Sequence, residues 1–309
     1  MCWTSMAIDS LQVFETHDMG RYWEQMPEVQ SEASLCASVT IQLVVDESSG
    51  SPSSPWTFTA VRLDAHIGSG IATQAKEKPL TTSERVRFPV MFQSWNAMTF
   101  LHWPCDVKTL QRYLPTGLEV DAFDGVGWIG LTPFLLSGLR LPFAPACPWL
   151  STFPETNLRT YVRGPVGPGV WFFSLDAARL AAVWGARATY GLPYHWADMH
   201  VRMDGQRVDY FSNRGGRANA RIIVNVGGVA AQPGELIEFL TARFRLYSLK
   251  RRRLAYANVD HPPWRLHSAE LLHFEESIRQ AAGLPSSEEF PLTHHSPGVD
   301  VRIGRLRFI

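Results

Sequence analysis

From Glu84 onward the chain alternates short apolar stretches with turn residues, and the period of that alternation is mostly two. Trp95–Trp103 is aromatic and apolar enough for a buried strand. Val120–Phe123 and Gly127–Phe134 flank Asp124-Gly125 as strand, turn and strand, and Leu158–Val162 alternates as a strand with one inward face. Val170–Leu175 reads as an apolar strand. Trp196–Val201 and Gln206–Ser212 flank Asp204-Gly205, while Phe244–Leu249 and Leu254–Val259 flank the basic tip Lys250–Arg253, so both are predicted hairpins. Val299–Phe308 alternates apolar residues with charges and predicts a final strand. Helical spacing is rarer. Asp106 is a good N-cap for Val107–Tyr113, and Ala177–Tyr190 sets Leu180, Val183, Trp184 and Ala188 on one face. Glu235–Ala242 and Glu275–Ala282 are the other predicted helices. Strands outnumber helices and are joined mainly by hairpins. The prediction is therefore an α+β fold, mainly antiparallel β, cone- or barrel-like, with a few packed helices.

Residues 1–84 differ in texture. Pro, Ser and acids are frequent, as in Asp46–Pro55, and residues 1–80 carry ten Asp/Glu against four Lys/Arg. No long periodic pattern links them. The expected organisation is thus a poorly ordered extension over 1–84, or upstream sequence translated from an early start codon, followed by one domain over 85–309. A small N-terminal sub-domain is the alternative.

Composition narrows the function classes. The formal charge is zero over 309 residues, so no global field favours nucleic acid or anionic lipid as a partner. No apolar run approaches the ~18 residues of a spanning helix, so no membrane partner is expected. Cys2, Cys36, Cys105 and Cys147 lack metal-ligand spacing, and Met1–Gly20 lacks a basic n-region. Free thiols without a secretory signal predict a cytoplasmic protein.

Candidate chemistry gathers at Thr189–Met199. A helical run enters it, Gly191 and Pro193 break that run, and a strand-like run leaves it, setting the Tyr194 phenol beside the His195 imidazole. Such a pair can donate to an oxyanion and carry a proton, or it can fill the core and make one fixed hydrogen bond. Glu155 lies between Phe153 and Leu158, where desolvation would raise its pKa. On a strand, positions 155, 157 and 159 share a face, so Arg159 either orients Glu155 and a substrate or holds Glu155 as a plain ion pair. His102 sits in an aromatic strand, where a satisfied core histidine is the competing reading. No fixed His/Cys/carboxylate set marks a metal site, and the Gly pairs lack the grammar of a phosphate cradle. Neither a metal nor a cofactor is expected.

Taken together, several segments resemble the DUF2071 (YqjF-like) family of the acetoacetate decarboxylase-like superfamily. They are Phe100-Leu101-His102-Trp103, Leu114-Pro115-x-Gly117-Leu118-Glu119, Ser151–Val162, Gly169–Asp176, Gly191-Leu192-Pro193-Tyr194 and His294-x-Ser296-Pro297-Gly298-Val299-Asp300-Val301. The resemblance covers residues from about 85 to the C-terminus. It implies a cone- or barrel-like antiparallel fold and a homo-oligomer. Acetoacetate decarboxylase itself forms a Schiff base through a lysine that follows a proline. Here Pro193 is followed by Tyr194 and His195, and Lys108 and Lys250 are the only lysines from Arg85 on. The enzyme's acidic residue is matched by Glu155, and its arginine falls on Asn96.

Two functional readings follow. In the first, Glu155, Tyr194 and His195 perform lyase-like acid/base chemistry on a small oxo acid or carbonyl compound without a Schiff-base lysine, and Arg159, His102 and Asn96 contact the substrate. In the second, the chain is a non-catalytic binding protein for a small metabolite.

Overall fold

Three long neighbouring strands are buried on both sides of the pleat over much of their length. In the computed structural model, which describes residues 86–147, 149–230, 234–285 and 289–309, β1 (Pro89–Cys105), β3 (Gly127–Arg140) and β4 (Phe153–Gly164) are adjacent and antiparallel. The expected extension over 1–84 lies outside the described residues. Between β1 and β3 come α1 (Val107–Gln111), whose N-cap Asp106 accepts from the Thr109 amide at 2.7 Å, and the short β2 (Glu119–Val120). Beyond β4 the chain runs through β5 (Gly167–Ala177), α2 (Leu180–Tyr190), β6 (Tyr194–Trp196), β7 (Asp198–Asp204), β8 (Arg207–Asn213) and β9 (Asn219–Val229). It continues with α3 (Glu235–Thr241), β10 (Arg245–Lys250), β11 (Arg253–Asp260), β12 (His267–Glu276), α4 (Ile278–Ala281), β13 (Leu292–Gly304) and β14 (Arg307–Phe308).

Among the described residues the strands form one sheet in the order β14-β11-β10-β5-β4-β3-β1-β13-β12-β9-β8-β7, with β2 on β4 and β6 on β5. The mixed, mainly antiparallel α+β architecture agrees with the sequence; the barrel-like expectation is corrected. A barrel joins the first strand of its order to the last, whereas this order ends at β14 and β7. The cause lies in β13, which divides itself among partners. It pairs with β1 from Pro89↔Gly304 to His102↔Leu292, with β11 only at Val259↔Ile303 and Asp260↔Arg302, and with β12 only at two positions. Past that brief contact, β12, β9, β8 and β7 continue as a separate arm.

The arm explains why β1 and β3 read as nearly continuous apolar runs and why β4, half polar in sequence, is buried from Glu155 to Val162. One of their faces packs on it through Leu101, Trp103, Leu131 and Leu158 against Val208, Tyr210, Ile222 and Val224. The opposite face, with Tyr161, meets Val170, Phe172, Leu175, Leu246, Val259 and Ile303. Burying side chains of this size stabilises by about 1.5–3 kcal/mol each. The arm strands have only one such face and alternate, as in Val208, Tyr210 and Ser212 buried along β8. Two helical expectations are corrected. Leu180 and Trp184 on α2 are 50% and 66% exposed, and the run from Glu275 begins as the end of β12, leaving only Ile278–Ala281 helical.

Candidate functional site

The site grows from three neighbouring strands. On β4, Glu155, Asn157 and Arg159 point to one face, as the period of two requires, and all three line a cavity of about 100 Å³. On β5 the register slips between Leu158↔Ser174 and Arg159↔Phe172, leaving Phe173 as an extra residue. A bulge of this kind resets the alternation. Val170 and Phe172 before it and Leu175 after it therefore all face the cavity. Along one rung, Asn157 lies opposite Leu175 and Leu175 opposite Tyr194 of β6.

Tyr194 reaches that rung because α2 stops where it does. Gly191 ends the helix at φ 67°, and a Cβ there would stand 2.7 Å from the Leu249 carbonyl oxygen, so glycine is required both for conformation and for space. Arg187 Nε donates to the Tyr194 carbonyl at 2.7 Å and fixes the start of β6. The Tyr194 hydroxyl then donates to Glu155 Oε1 at 3.0 Å. Glu155 is 4% exposed, and its Oε2 has no protein partner among the described residues. Burial drives its carboxyl up to about 8, against the hydrogen bonds of Tyr194 and Asn157 and with the help of the Asp176 charge. Near neutrality Glu155 is a carboxylic acid. Burial, and then the neighbouring Glu155, push the Tyr194 phenol well above its ordinary range, so it remains a donor.

Arg159 is buried, with its guanidinium 5.7 Å from the centre of the Phe100 ring and 5.8 Å from that of Tyr161. Its Nη2 reaches the Leu240 carbonyl at 3.5 Å, and it makes no ion pair among the described residues, so the plain Glu155–Arg159 pair does not form. A second guanidinium arrives from the loop after α3. Arg243 lies 5.0 Å from the Tyr161 ring centre, pairs with Asp121 through Nη1 and donates from Nε to the Phe239 carbonyl at 2.7 Å. Trp95, Tyr190, His261 and Trp264 add aromatic groups to the wall, and Gln93, Thr241 and Arg245 add polar ones.

Of the residues singled out from sequence, the structure brings together Glu155, Arg159 and Tyr194. His195 follows Tyr194 along β6 and therefore faces the other way, opposite Asp176. Burial, then the charges of Arg214 and Arg187, hold its imidazole down at about 4, so it is neutral at pH 7. His102 lies behind the wall, with Nε2 2.7 Å from the Tyr161 hydroxyl. Asn96 donates to Ser137 Oγ at 2.8 Å and to the Leu135 carbonyl at 3.3 Å, beside the irregular stretch where Ala97 adopts φ 43°. None of His195, His102 and Asn96 lines the cavity.

Sequence reasoning missed Asn157, Arg243, His261, Trp95 and Trp264 as site residues. Asn157 was legible, since it alternates between Glu155 and Arg159. Arg243 carried no local signal. Lys108 lies in α1, and Lys250 Nζ donates to the Thr189 carbonyl at 2.6 Å; neither lines the cavity. Two larger grooves, of about 530 and 650 Å³, open on the surface and contain none of the unpartnered buried polar atoms. Among the described residues no group of three His, Cys, Asp or Glu could hold a metal ion, and no helix is long and apolar enough to cross a membrane.

Comparison with known proteins identifies the family and the fold. YqjF of Bacillus subtilis (strain 168), described as an uncharacterized protein, is 39% identical over 222 residues, covering 71% of this chain and 92% of that protein. Among solved structures, an acetoacetate decarboxylase-like enzyme from Sphingomonas wittichii RW1 superposes with a TM-score of 0.53 at 14% identity, over 74% of this chain and 94% of that one. Acetoacetate decarboxylase from Legionella pneumophila superposes at 0.51 with 15% identity, over 72% and 87%. At such identities the likeness is one of fold. The family model for DUF2071, an uncharacterized conserved protein family, matches residues 92–300. The chain belongs to the DUF2071 family, on a fold related to that of the acetoacetate decarboxylase-like proteins.

Proposed function

We propose that the cavity performs acid/base chemistry on a small carbonyl compound without a covalent lysine intermediate, with Glu155 as the proton carrier and Tyr194 as its orienting donor. The observation that carries this reading is the Glu155 carboxyl itself. It is buried, neutral near pH 7, tied by Tyr194 at Oε1 and, among the described residues, without a protein partner at Oε2. Because Tyr194 donates to Oε1, the acidic proton belongs on Oε2, the atom left for a ligand. A carboxyl of near-neutral pKa can pass that proton to a carbonyl oxygen and, as the carboxylate so formed, take the proton that leaves the α-carbon as the enol forms. The alternative, a non-catalytic metabolite-binding protein, is favoured by one observation: His195, the natural second titrating group, faces away from the cavity.

The test is turnover on a panel of small ketones, aldehydes and oxo acids, with borohydride added in parallel. Turnover is expected to fall by about 10²–10⁴-fold in Glu155→Gln, with no lysine modified in the wild type. A borohydride-trapped adduct on Lys108 or Lys250, or full turnover in the variant, would overturn the acid/base reading. A tightly held ligand with no turnover in the wild type would establish the binding alternative.

A further inference from the structure

The inner wall of the same cavity poses a separate question, because it buries two guanidinium groups and supplies one carboxylate to balance them. Asp121 is that carboxylate, and it is already shared between Arg243 and Arg163. Glu155, the other acid lining the cavity, is uncharged near neutrality, so among the described residues no carboxylate pairs with the Arg159 guanidinium. Leaving a buried charge unpaired is strongly unfavourable, and proteins tolerate it where a ligand completes the pair. The hydrogen-bond inventory points the same way. Arg159 Nε and Arg243 Nη2 are buried N–H donors with no partner among the described residues, although both residues are more than nine-tenths buried, at 8% and 6% exposure. Both guanidiniums lie within 5.8 Å of the centre of one ring, that of Tyr161, and both line the cavity.

From this geometry we propose that Arg159 and Arg243 form a carboxylate-binding subsite, so that the ligand of the cavity is a small monocarboxylate whose apolar body extends toward Glu155 and Tyr194. Two N–H donors from planar forks match the two oxygens of a carboxylate. Much of the remaining wall is hydrocarbon, with Val170, Phe172, Leu192, Leu246, Val259 and Ile303, which suits an aliphatic body, while Arg245, the third guanidinium of the lining, already donates to Asn258 Oδ1 at 3.4 Å and to the Pro168 carbonyl at 3.1 Å. A cavity of about 100 Å³ limits that body to a few carbon atoms. This inference rests on the reading that the cavity is the ligand site, but not on any reaction there.

Butyrate and its neutral isostere butyramide separate the possibilities. Titration calorimetry and thermal shift on the full chain at pH 7 are expected to show saturable binding of butyrate and weaker binding of butyramide. The difference should be about tenfold to hundredfold, the range of one charge-assisted hydrogen-bonded pair. Arg159→Met is expected to remove that preference while leaving the ligand-free midpoint equal to or above that of the wild type, since it deletes an unpaired buried charge. Equal affinity for the two probes, or an undiminished butyrate preference in Arg159→Met, overturns the subsite. Butyrate binding lost in Arg159→Met but retained in His195→Asn, outside the cavity, supports it, even if no carbonyl compound turns over.

Discussion

Two adjacent rungs across β4, β5 and β6 differ by one residue and behave in opposite ways. The rung Asn157–Leu175–Tyr194 faces the cavity; the rung Thr156–Asp176–His195 faces away from it. Both sides bury an acid and an arginine. Behind β5, Asp176 pairs with Arg214 Nε and accepts from Ser212 Oγ at 2.7 Å, while Arg214 Nη2 donates to Ser174 Oγ at 2.8 Å. In the cavity, Glu155 Oε2, Asn157 Oδ1, Arg159 Nε and Arg243 Nη2 are without partners among the described residues. The same residue types are thus spent on holding β8 against β5 in one place and left unspent in the other. Hydrogen-bond satisfaction, more than residue identity or burial, separates a structural cluster from a site.

The sharpest way to break this comparison is to remove one partner from the satisfied cluster. Arg214→Met leaves Asp176 buried at 0% exposure without its cation, and a stranded buried charge of this kind costs about 3–5 kcal/mol. Chemical denaturation is expected to show a loss of that size, in contrast to the neutral or stabilising effect expected at Arg159. If Arg214→Met were as mild as Arg159→Met, the distinction between the two clusters would fail.

A second effect concerns Glu155 and its pH dependence. Its carboxyl titrates at about 8 in the folded chain against an ordinary 4.5, so between those values the native state holds a proton that the unfolded chain has released. Stability must therefore fall as pH rises through this window. The contribution present below pH 4.5 is expected to shrink by about 3 kcal/mol on reaching pH 7, at about 1.4 kcal/mol per pH unit. Glu155→Gln removes this slope. Parallel denaturation series at pH 5, 6 and 7 should show the wild type losing ground to the variant at each step, and parallel pH profiles would exclude a buried neutral acid.

Much of this arrangement was legible along the chain. The shared face of Glu155, Asn157 and Arg159 follows from a period of two, and the end of α2 follows from Gly191 and Pro193. What escaped was long-range. Arg243 comes to the cavity because β10 pairs parallel to β5 at Leu246↔Val170, a contact between residues 76 positions apart that no local pattern announces. The barrel expectation failed for the same reason, since the division of β13 among β1, β11 and β12 depends on partners distant in sequence. The Phe173 bulge, which decides which residues of β5 face inward, is hidden within a uniformly apolar run.

The smallest effect separates Tyr194 from His195. Next to a Gly-x-Pro break the two looked like one functional pair, but a strand of three residues is enough to send them to opposite faces. His195 is half-buried beside Arg214, neutral at pH 7, and outside the cavity lining. His195→Asn is therefore expected to change stability by no more than about 0.5 kcal/mol and to leave the butyrate-over-butyramide preference intact. Tyr194→Phe, one residue away, removes the donor to Glu155 Oε1 and frees the carboxyl to rotate. It should change the pH dependence of stability that Glu155 imposes, because the Tyr194 hydrogen bond is the largest influence opposing burial there. An effect of His195→Asn on that pH dependence as large as that of Tyr194→Phe would mean that the two rungs are coupled through β6, and that the face of the sheet does not divide structure from site.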